Sequence, residues 1–141
     1  MNDSFKTPLV VAGRVLLALM FILAGFSKLG NIQGTAGYIA SGGLPFGSVL
    51  AVVVALLELL GGLAIAAGFQ ARWAALALGL FTLVASVLFH KFWAVPAEQA
   101  MLQQLLFIKN LSVAVGLFVV AVLGAGPASV DAHRSSRLVA T

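Results

Sequence analysis

Residues 46–69 read FGSVLAVVVALLELLGGLAIAAGF, an apolar run interrupted by one ionisable side chain, Glu58. A helix needs about 20 mainly apolar residues to cross the hydrocarbon core of a bilayer, and this run is long enough to do so. Three other stretches also qualify. The predicted spans cover residues of about 9–27, 46–69, 73–90 and 104–124. The sequence therefore predicts an all-α, up-down-up-down bundle of four transmembrane helices.

The overall composition supports a membrane protein. The 141 residues are 62% hydrophobic and 9% charged, whereas soluble domains are about 45–50% apolar and about 25% charged. This composition excludes a disordered chain, a nucleic-acid-binding domain and an ordinary cytosolic enzyme, and it makes the lipid bilayer the first partner. The chain has no cysteine, which excludes disulfides, iron–sulfur ligation and thiol redox chemistry within it.

The connections between spans are short, which limits the domain organisation. Residues 1–125 are predicted to form a single transmembrane domain, and residues 126–141 a polar, flexible tail. The glycine-rich connection 30–45 is expected to carry a short interfacial helix at residues 35–40. The connection 70–72 is so brief that spans two and three must be antiparallel neighbours.

The ends of the spans also carry recognisable signals. Pro96 and Glu98 predict that a helix begins ahead of the fourth span, because proline suits a first turn and an anionic side chain suits the positive end of the helix dipole. Arg14 breaks the apolar run of span one, and no small-x-small cleavage site follows before Lys28. Span one is therefore expected to be retained rather than cleaved as a signal peptide.

Lys and Arg in the short loops predict the orientation. One side of the predicted bundle carries four basic residues, and the other carries two. The first group is Lys6, Arg72, Arg134 and Arg137, and the second is Lys28 and Lys91. Both termini are therefore expected to lie in the cytoplasm.

Each span places its ionisable residue on the same helical face as a glycine. A charge at the bilayer centre costs about 2.5–3.5 kcal/mol, so these residues should turn toward the bundle interior, and small residues let membrane helices approach closely. The predicted inner faces are Arg14, Ala18, Phe21, Gly25 and Lys28 in span one; Ala51, Ala55, Glu58, Gly62 and Ile65 in span two; Gly79, Leu83, Ser86 and His90 in span three; and Lys109, Gly116 and Leu123 in span four.

Glu58 lies near the middle of its span and needs a partner there. Arg14 and Lys109 both have long, flexible stems that can reach it, and the sequence leaves open which cation does so. The pair can belong to a functional site, or it can be a structural ion pair that only fixes helix register.

Five short motifs follow one another along the chain in a characteristic order. They are Arg14 in span one; Ala24-Gly25-Phe26-Ser27-Lys28 at its end; Glu58-Leu59-Leu60-Gly61-Gly62 in span two; Phe89-His90-Lys91-Phe92-Trp93 after span three; and Phe107-Ile108-Lys109-Asn110 in span four. In this order and spacing, the sequence resembles the DoxX family of small integral membrane proteins. The resemblance covers nearly the whole chain, from about residue 9 to about residue 123.

The resemblance implies a four-helix protein of the bacterial or archaeal cytoplasmic membrane. Members of the family are linked to membrane oxidoreductase assemblies. One branch resembles the membrane subunit of a thiosulfate–quinone oxidoreductase, and others are associated with redox-defence complexes. Many members have no established activity, so the resemblance favours a redox role without specifying a reaction.

The residue types limit the kinds of cofactor that the chain can bind. His90 is the one histidine near the predicted membrane, since His133 lies in the tail. A haem held by two histidines, a zinc site and an iron–sulfur cluster are therefore not expected in this chain. A membrane quinone is the simplest redox carrier. It needs an apolar slot, donors near its carbonyl oxygens and a route for protons.

The candidate site residues follow from those needs. Glu58 and His90 are the candidate catalytic residues, because they can hold or pass a proton. The candidate ligand-binding residues are Arg14, Lys28, Lys109, Asn110 and Trp93. The candidate aromatic lining is Phe21, Phe26, Phe89 and Trp93. The excess of positive groups on the inner faces also suits an anionic ligand.

Two other functions remain open at this point. The chain can be a non-catalytic membrane scaffold that recruits soluble redox enzymes, with a purely structural polar core. It can also be a proton- or anion-coupled carrier, for which four spans would be few unless the protein forms a homodimer. The first hypothesis, a quinone-linked subunit, also requires redox-enzyme partner subunits, because the chain supplies no electron carrier of its own.

Overall fold

The computed structural model describes residues 3–139, with side chains described for residues 5–136. Within this range the secondary structure is helical. The α-helices are α1 (Asp3–Gly30), α2 (Ile32–Ser41), α3 (Gly47–Ala67), α4 (Ala71–Phe89), α5 (Ala97–Leu123) and α6 (Val130–Val139). Of these, α1, α3, α4 and α5 are long and apolar enough to cross a membrane. The predicted all-α bundle with four spans is confirmed.

The four long helices run alternately in opposite directions. One end of the bundle, the termini end, carries the start of α1, the α3–α4 turn and α6. The other, the α2 end, carries α2 and the α4–α5 connection with its 3-10 turn, Phe92–Ala94. At the α3–α4 turn, Gly68 and Gln70 both have positive φ, 69° and 46°. This tight reversal makes α3 and α4 antiparallel neighbours, as predicted.

Several helices extend beyond the predicted apolar spans. Both α1 and α5 begin before the apolar spans predicted at residues 9 and 104, because helical hydrogen bonding continues past the hydrocarbon region into polar residues. Pro96 lies just before α5 and Glu98 lies in its first turn, as the sequence indicated. At the start of α2, the Asn31 side chain accepts a hydrogen bond from the backbone N–H of Gly34 at 3.0 Å and caps the helix.

The helices pack as two close pairs, α1 with α3 and α4 with α5. Small residues allow the first pair to approach: a side chain on Gly25 would collide with the backbone of α3, and one on Gly62 would collide with α1. Both predicted inner faces of this pair are largely buried. Their buried members are Arg14, Ala18, Phe21 and Gly25 in α1, and Ala51, Ala55, Glu58, Gly62 and Ile65 in α3.

The predicted inner face of the fourth span is wrong for two of its three residues, whereas Gly116 faces Leu17 of α1. Lys109 and Leu123 are exposed, whereas Ala114 and Leu117 are buried. The prediction placed the ionisable residue inward, but a lysine stem can carry its ammonium group away from the bundle at less cost than burying it. Asn110, the next residue, takes the inward position.

Three charged side chains join the helix ends at the termini end. Arg14 is buried and donates hydrogen bonds to the carbonyls of Ala125 and Ala128. The Asp131 carboxylate accepts hydrogen bonds from the backbone N–H groups of Gln70 and Ala71, at 2.8 and 3.1 Å, where α4 begins. The Asp131 contacts satisfy N–H groups that the start of α4 leaves unpaired. Together with the Arg14 contacts, they attach the connection after α5, with α6, to the bundle.

A third charged side chain closes the end of α5. Arg72, in the first turn of α4, donates hydrogen bonds to carbonyls in the last turn of α5, namely those of Ala121, Val122 and Leu123. The cation therefore compensates the negative end of that helix dipole.

Candidate functional site

An ion pair crosses from α1 to α3 inside the bundle. Lys28 Nζ donates a hydrogen bond to Glu58 Oε2 at 2.6 Å. The Glu58 side chain is 8% exposed and that of Lys28 is 29% exposed. Gly25 lies one turn before Lys28, and its close contact with α3 brings the end of α1 near the middle of that helix. The partner of Glu58 is therefore Lys28, and the predicted pairing with Arg14 or Lys109 is wrong.

A second polar pair links the end of α4 to the first half of α5. His90 directly follows the last residue of α4, and its Nδ1 lies 2.9 Å from Oε1 of Gln103. When the ring is neutral and Nδ1 carries the proton, it donates to this carbonyl oxygen, and Nε2 keeps a lone pair. Gln103 therefore fixes the orientation of the His90 ring and favours one tautomer.

The Lys28–Glu58 pair and His90 border one cavity in the half of the bundle near α2. Its volume is about 360 Å³, within the range of about 300–1,000 Å³ that is usual for small-molecule sites. The walls are mainly apolar side chains from α1, α3 and α4. They include Met20, Phe21, Leu50, Val54, Phe81, Val84, Leu88 and Phe89. The polar groups on the cavity are few: Lys28, Thr35, Tyr38, Glu58, Thr82, His90 and Asn110.

The short helix α2 lies across the cavity at its own end of the bundle. The Tyr38 ring stacks on the Phe89 ring, with centroids 4.8 Å apart. Partial burial raises the pKa of the Tyr38 hydroxyl. Like an ordinary tyrosine, the group is protonated at neutral pH and can donate a hydrogen bond. The predicted interfacial segment thus contributes a side chain to the site.

The structure brings four of the predicted site residues together: Lys28, Glu58, His90 and Asn110 all line the cavity. Two members of the predicted aromatic lining, Phe21 and Phe89, also lie on it. Phe26, in contrast, is 72% exposed and points away from the bundle.

Three predicted ligand-binding residues lie elsewhere. The guanidinium of Arg14 binds backbone carbonyls at the termini end, and its Nε is buried without a hydrogen-bond partner. Lys109 is exposed on α5. Trp93 is also exposed and packs edge-on against Phe92 and Phe107 at the α2 end. These three residues do not line the cavity.

This placement changes the charge of the site. The sequence predicted an excess of positive groups on the inner faces, from Arg14, Lys28 and Lys109 against Glu58. In the structure, Glu58 balances Lys28, while the other two cations lie outside the cavity. The cavity therefore presents a neutral ion pair, which favours a neutral polar ligand group over a small anion.

Two polar side chains at the site are absent from the predicted set. Gln103 lies in the polar first turns of α5. Only its contact with the His90 ring shows that it belongs to the site. Tyr38 is the one tyrosine in the chain. It lies in a short helix of the glycine-rich connection, and the sequence does not indicate the direction in which its ring points. The one signal in the sequence for Tyr38 was its aromatic side chain close to the spans. Phe26 and Trp93 have the same feature and face outward.

Comparisons with known proteins agree with this architecture. The DoxX family model matches residues 9–91. The chain is 38% identical over 122 residues to "Inner membrane protein YqjF" of Escherichia coli, covering 86% of this chain and 88% of that protein. It is 30% identical over 123 residues to "Inner membrane protein YphA" of the same organism, covering 87% and 88%.

A third relative carries a name that refers to chemistry. The chain is 31% identical over 114 residues to "Putative oxidoreductase CatD" of Bacillus subtilis, covering 81% of this chain and 82% of that protein. No solved structure matches the chain significantly.

Proposed function

Because this chain belongs to the DoxX family of membrane proteins, we propose that it is a quinone-linked component of a membrane oxidoreductase. The observation that carries the proposal is the cavity: it has apolar walls, room for a small ring, and the Lys28–Glu58 pair and His90 on its surface. Gln103 contacts the His90 ring from outside the cavity lining. The name of CatD, an oxidoreductase by that name, supports a redox role in a relative of similar length.

The polar groups of the cavity fit the two ends of a quinone ring. The Lys28 ammonium has three N–H donors and gives one to Glu58, so it has donors left for a carbonyl oxygen. The Tyr38 hydroxyl and the Asn110 amide provide further neutral donors on the same cavity. When bound, a quinone would supply the transfer of two electrons and two protons. The residues around it would orient it and exchange protons with it.

His90 and Glu58 are the groups that can exchange protons with the ligand. With Nδ1 held by Gln103, a protonated His90 would give a proton through Nε2 to the oxygen of a quinone that is being reduced, and a neutral His90 would accept one when the quinol is oxidised. Lys28 and Glu58, which share a hydrogen bond, would give the second proton during reduction and take it back during oxidation. The two electrons that reduce the quinone would come from a partner oxidoreductase subunit or enzyme, and quinol oxidation would return them to it, because a chain without cysteine holds no thiol relay or iron–sulfur cluster.

The orientation proposed from the loops places this site in the outer half of a prokaryotic inner membrane. Lys6, Arg72 and Arg134 lie at the termini end, whereas Lys91 is exposed at the α2 end. Lys28 also lies there, but Glu58 pairs with it inside the bundle. The positive-inside tendency therefore favours both termini in the cytoplasm and the cavity on the opposite side.

Replacing His90 tests the proposed function. We expect His90→Ala to fold normally and to bind a decyl-benzoquinone about tenfold more weakly, because it loses one hydrogen-bonding group at the ring. Gln103→Leu should weaken binding less, since it leaves the imidazole in place. The measurement is the rise in melting temperature of the protein in lipid nanodiscs as decyl-benzoquinone is added, with quinone content of the lipid extract as a second readout.

Lys91→Ala is the matched control, because Lys91 is the exposed neighbour of His90 and does not line the cavity. Its titration should match that of the wild type. If the wild type binds no quinone, or if His90→Ala binds as tightly as Lys91→Ala, the proposal fails. In a pure scaffold, recovery of partner enzymes would instead follow the folded fraction of each variant.

A further inference from the structure

The cavity has an opening on the side of the bundle. At the termini end, α3 and α4 are held close by their short turn, and Gly61 of α3 lies against Leu78 of α4. Toward the α2 end, both helices present side chains to the cavity between them, from Leu50 and Val54 of α3 and from Val84 of α4. Val84 is 58% exposed although it lines the cavity. The cavity therefore opens to the outside of the bundle between α3 and α4.

The depth of this opening places it in the hydrocarbon region. Val84 lies five residues before Phe89, the last residue of α4, which is about 8 Å along a helix axis. The 19 residues of α4 span about 28 Å, close to the thickness of the hydrocarbon core of about 30 Å. A ligand passing Val84 would therefore leave the protein among lipid chains rather than in water.

The chemistry changes from the opening to the interior. The side chains at the opening are aliphatic: Leu50, Val54, Val84 and Leu88. The Lys28–Glu58 pair and His90 lie on the same cavity. At the α2 end of the bundle, helix α2 lies across the cavity and contacts α4 through the stacked rings of Tyr38 and Phe89. This arrangement suits a molecule with a compact polar head and an apolar chain, the head in the cavity and the chain in the opening.

We infer that the ligand enters and leaves sideways, from the bilayer, through this α3–α4 opening, and that its apolar chain occupies the opening while its head is bound. The occupant is a membrane amphiphile with an isoprenoid or alkyl chain and an uncharged polar head. A phospholipid is a poor fit, because its charged headgroup would have to cross an aliphatic opening. The quinone form of this inference rests on the proposed function, but the route through the opening does not.

The test narrows the opening with one side chain. Val84→Trp places a large ring in the opening, and Val87→Trp is the matched control. Val87 is also a valine of α4, is 51% exposed and does not line the cavity. The probes are decyl-benzoquinone, the same ring without a chain, and farnesol, an isoprenoid alcohol with no redox ring. Binding to each variant is measured in nanodiscs, with Val84→Phe as a milder variant if Val84→Trp lowers the melting temperature.

We expect Val84→Trp to bind decyl-benzoquinone and farnesol about tenfold more weakly than the wild type, because the ring takes the space of a few buried methylene groups. Val87→Trp should bind both as the wild type does. The ring without a chain should bind the wild type more weakly than decyl-benzoquinone does. Equal binding by the Val84 and Val87 variants, or equal affinity with and without the chain, would overturn lateral entry while leaving the quinone site in place.

The two proposals fail in different ways. If the wild type binds farnesol but not decyl-benzoquinone, and Val84→Trp loses farnesol, the quinone function fails and lateral entry stands. If the wild type binds neither chain-bearing probe, both proposals are wrong. If a lipid chain merely fills the α3–α4 opening, neither probe should displace it selectively. This last result is the one expected in that case.

Discussion

Replacing Gly25 with alanine is expected to destabilise the protein by about 3 kcal/mol, the upper part of the range for overpacked sites. A Cβ at this position would lie 2.5 Å from the backbone nitrogen of Leu59 and 2.7 Å from the carbonyl oxygen of Ala55. Backbone atoms cannot move aside as a flexible side chain can, so α1 and α3 would have to separate. The measurement is the free energy of unfolding in mixed detergent micelles.

Gly13→Ala provides the matched control on the same helix. A Cβ on Gly13 meets nothing within 4 Å, so this change should leave stability unchanged or raise it by up to about 1 kcal/mol. Gly25→Ala should also weaken quinone binding, since separating α1 from α3 pulls Lys28 away from Glu58. Equal stability of the two alanine variants would contradict the close packing of α1 on α3.

Glu58→Ala is the second change with a large expected effect, a loss of about 3 kcal/mol in the free energy of unfolding. Removing one member of a buried pair leaves the other charge without a partner, which costs about 3–5 kcal/mol. The lower value applies here because Lys28 is partly exposed and its ammonium can move toward the headgroups. Lys91→Ala, an exposed lysine change at the same end of the bundle, should have almost no effect.

A double-mutant cycle separates the ion pair from other roles of Glu58. Lys28→Met and Glu58→Gln each remove one charge, and the double variant removes both. The double variant should be more stable than the sum of the single effects indicates, because neither partner is then left charged and alone. Additive losses would mean that Lys28 and Glu58 do not stabilise each other, and equal melting temperatures for Glu58→Ala and Lys91→Ala would contradict the inward position of Glu58.

Much of the arrangement around Glu58 is predictable from the sequence. The cost of a charge facing lipid, combined with the helical period, identifies the inner faces of α1 and α3 residue by residue. The same reasoning places Lys28, Glu58 and His90 on the interior side of their helices. These are local rules: each one needs only the order of residues in a single helix and the polarity of the surrounding lipid.

The features that depend on how far one helix is shifted along another were not predictable. The sequence offered Arg14 and Lys109 as partners of Glu58, whereas the structure pairs Glu58 with Lys28. The axial offset between α1 and α3, set by the contact of Gly25 with the α3 backbone, brings Lys28 to that depth. The position of Lys109 was wrong for a related reason. In α5 an amide one residue later, Asn110, can face the cavity without the cost of burying a charge.

The contacts at the termini end lie beyond sequence patterns for another reason. Arg14 and Asp131 bind backbone groups far along the chain, at Ala125, Ala128, Gln70 and Ala71. Almost any residue can supply a backbone carbonyl or N–H group. The sequence therefore does not identify which residues bind Arg14 and Asp131. The buried position of Arg14 was predictable, but its use as a structural anchor away from the cavity was not.

The most direct measurement of the central claim is a photo-crosslinking map with an azido-benzoquinone carrying a decyl chain, in nanodiscs and identified by peptide mass spectrometry. We expect label on residues 50–58 of α3 and 81–90 of α4, the segments that border the cavity and its side opening. Excess decyl-benzoquinone without the azide should remove that label. Label confined to the lipid-facing side of α5, around Val115 and Val119, and unaffected by the competitor would contradict a quinone site between α3 and α4.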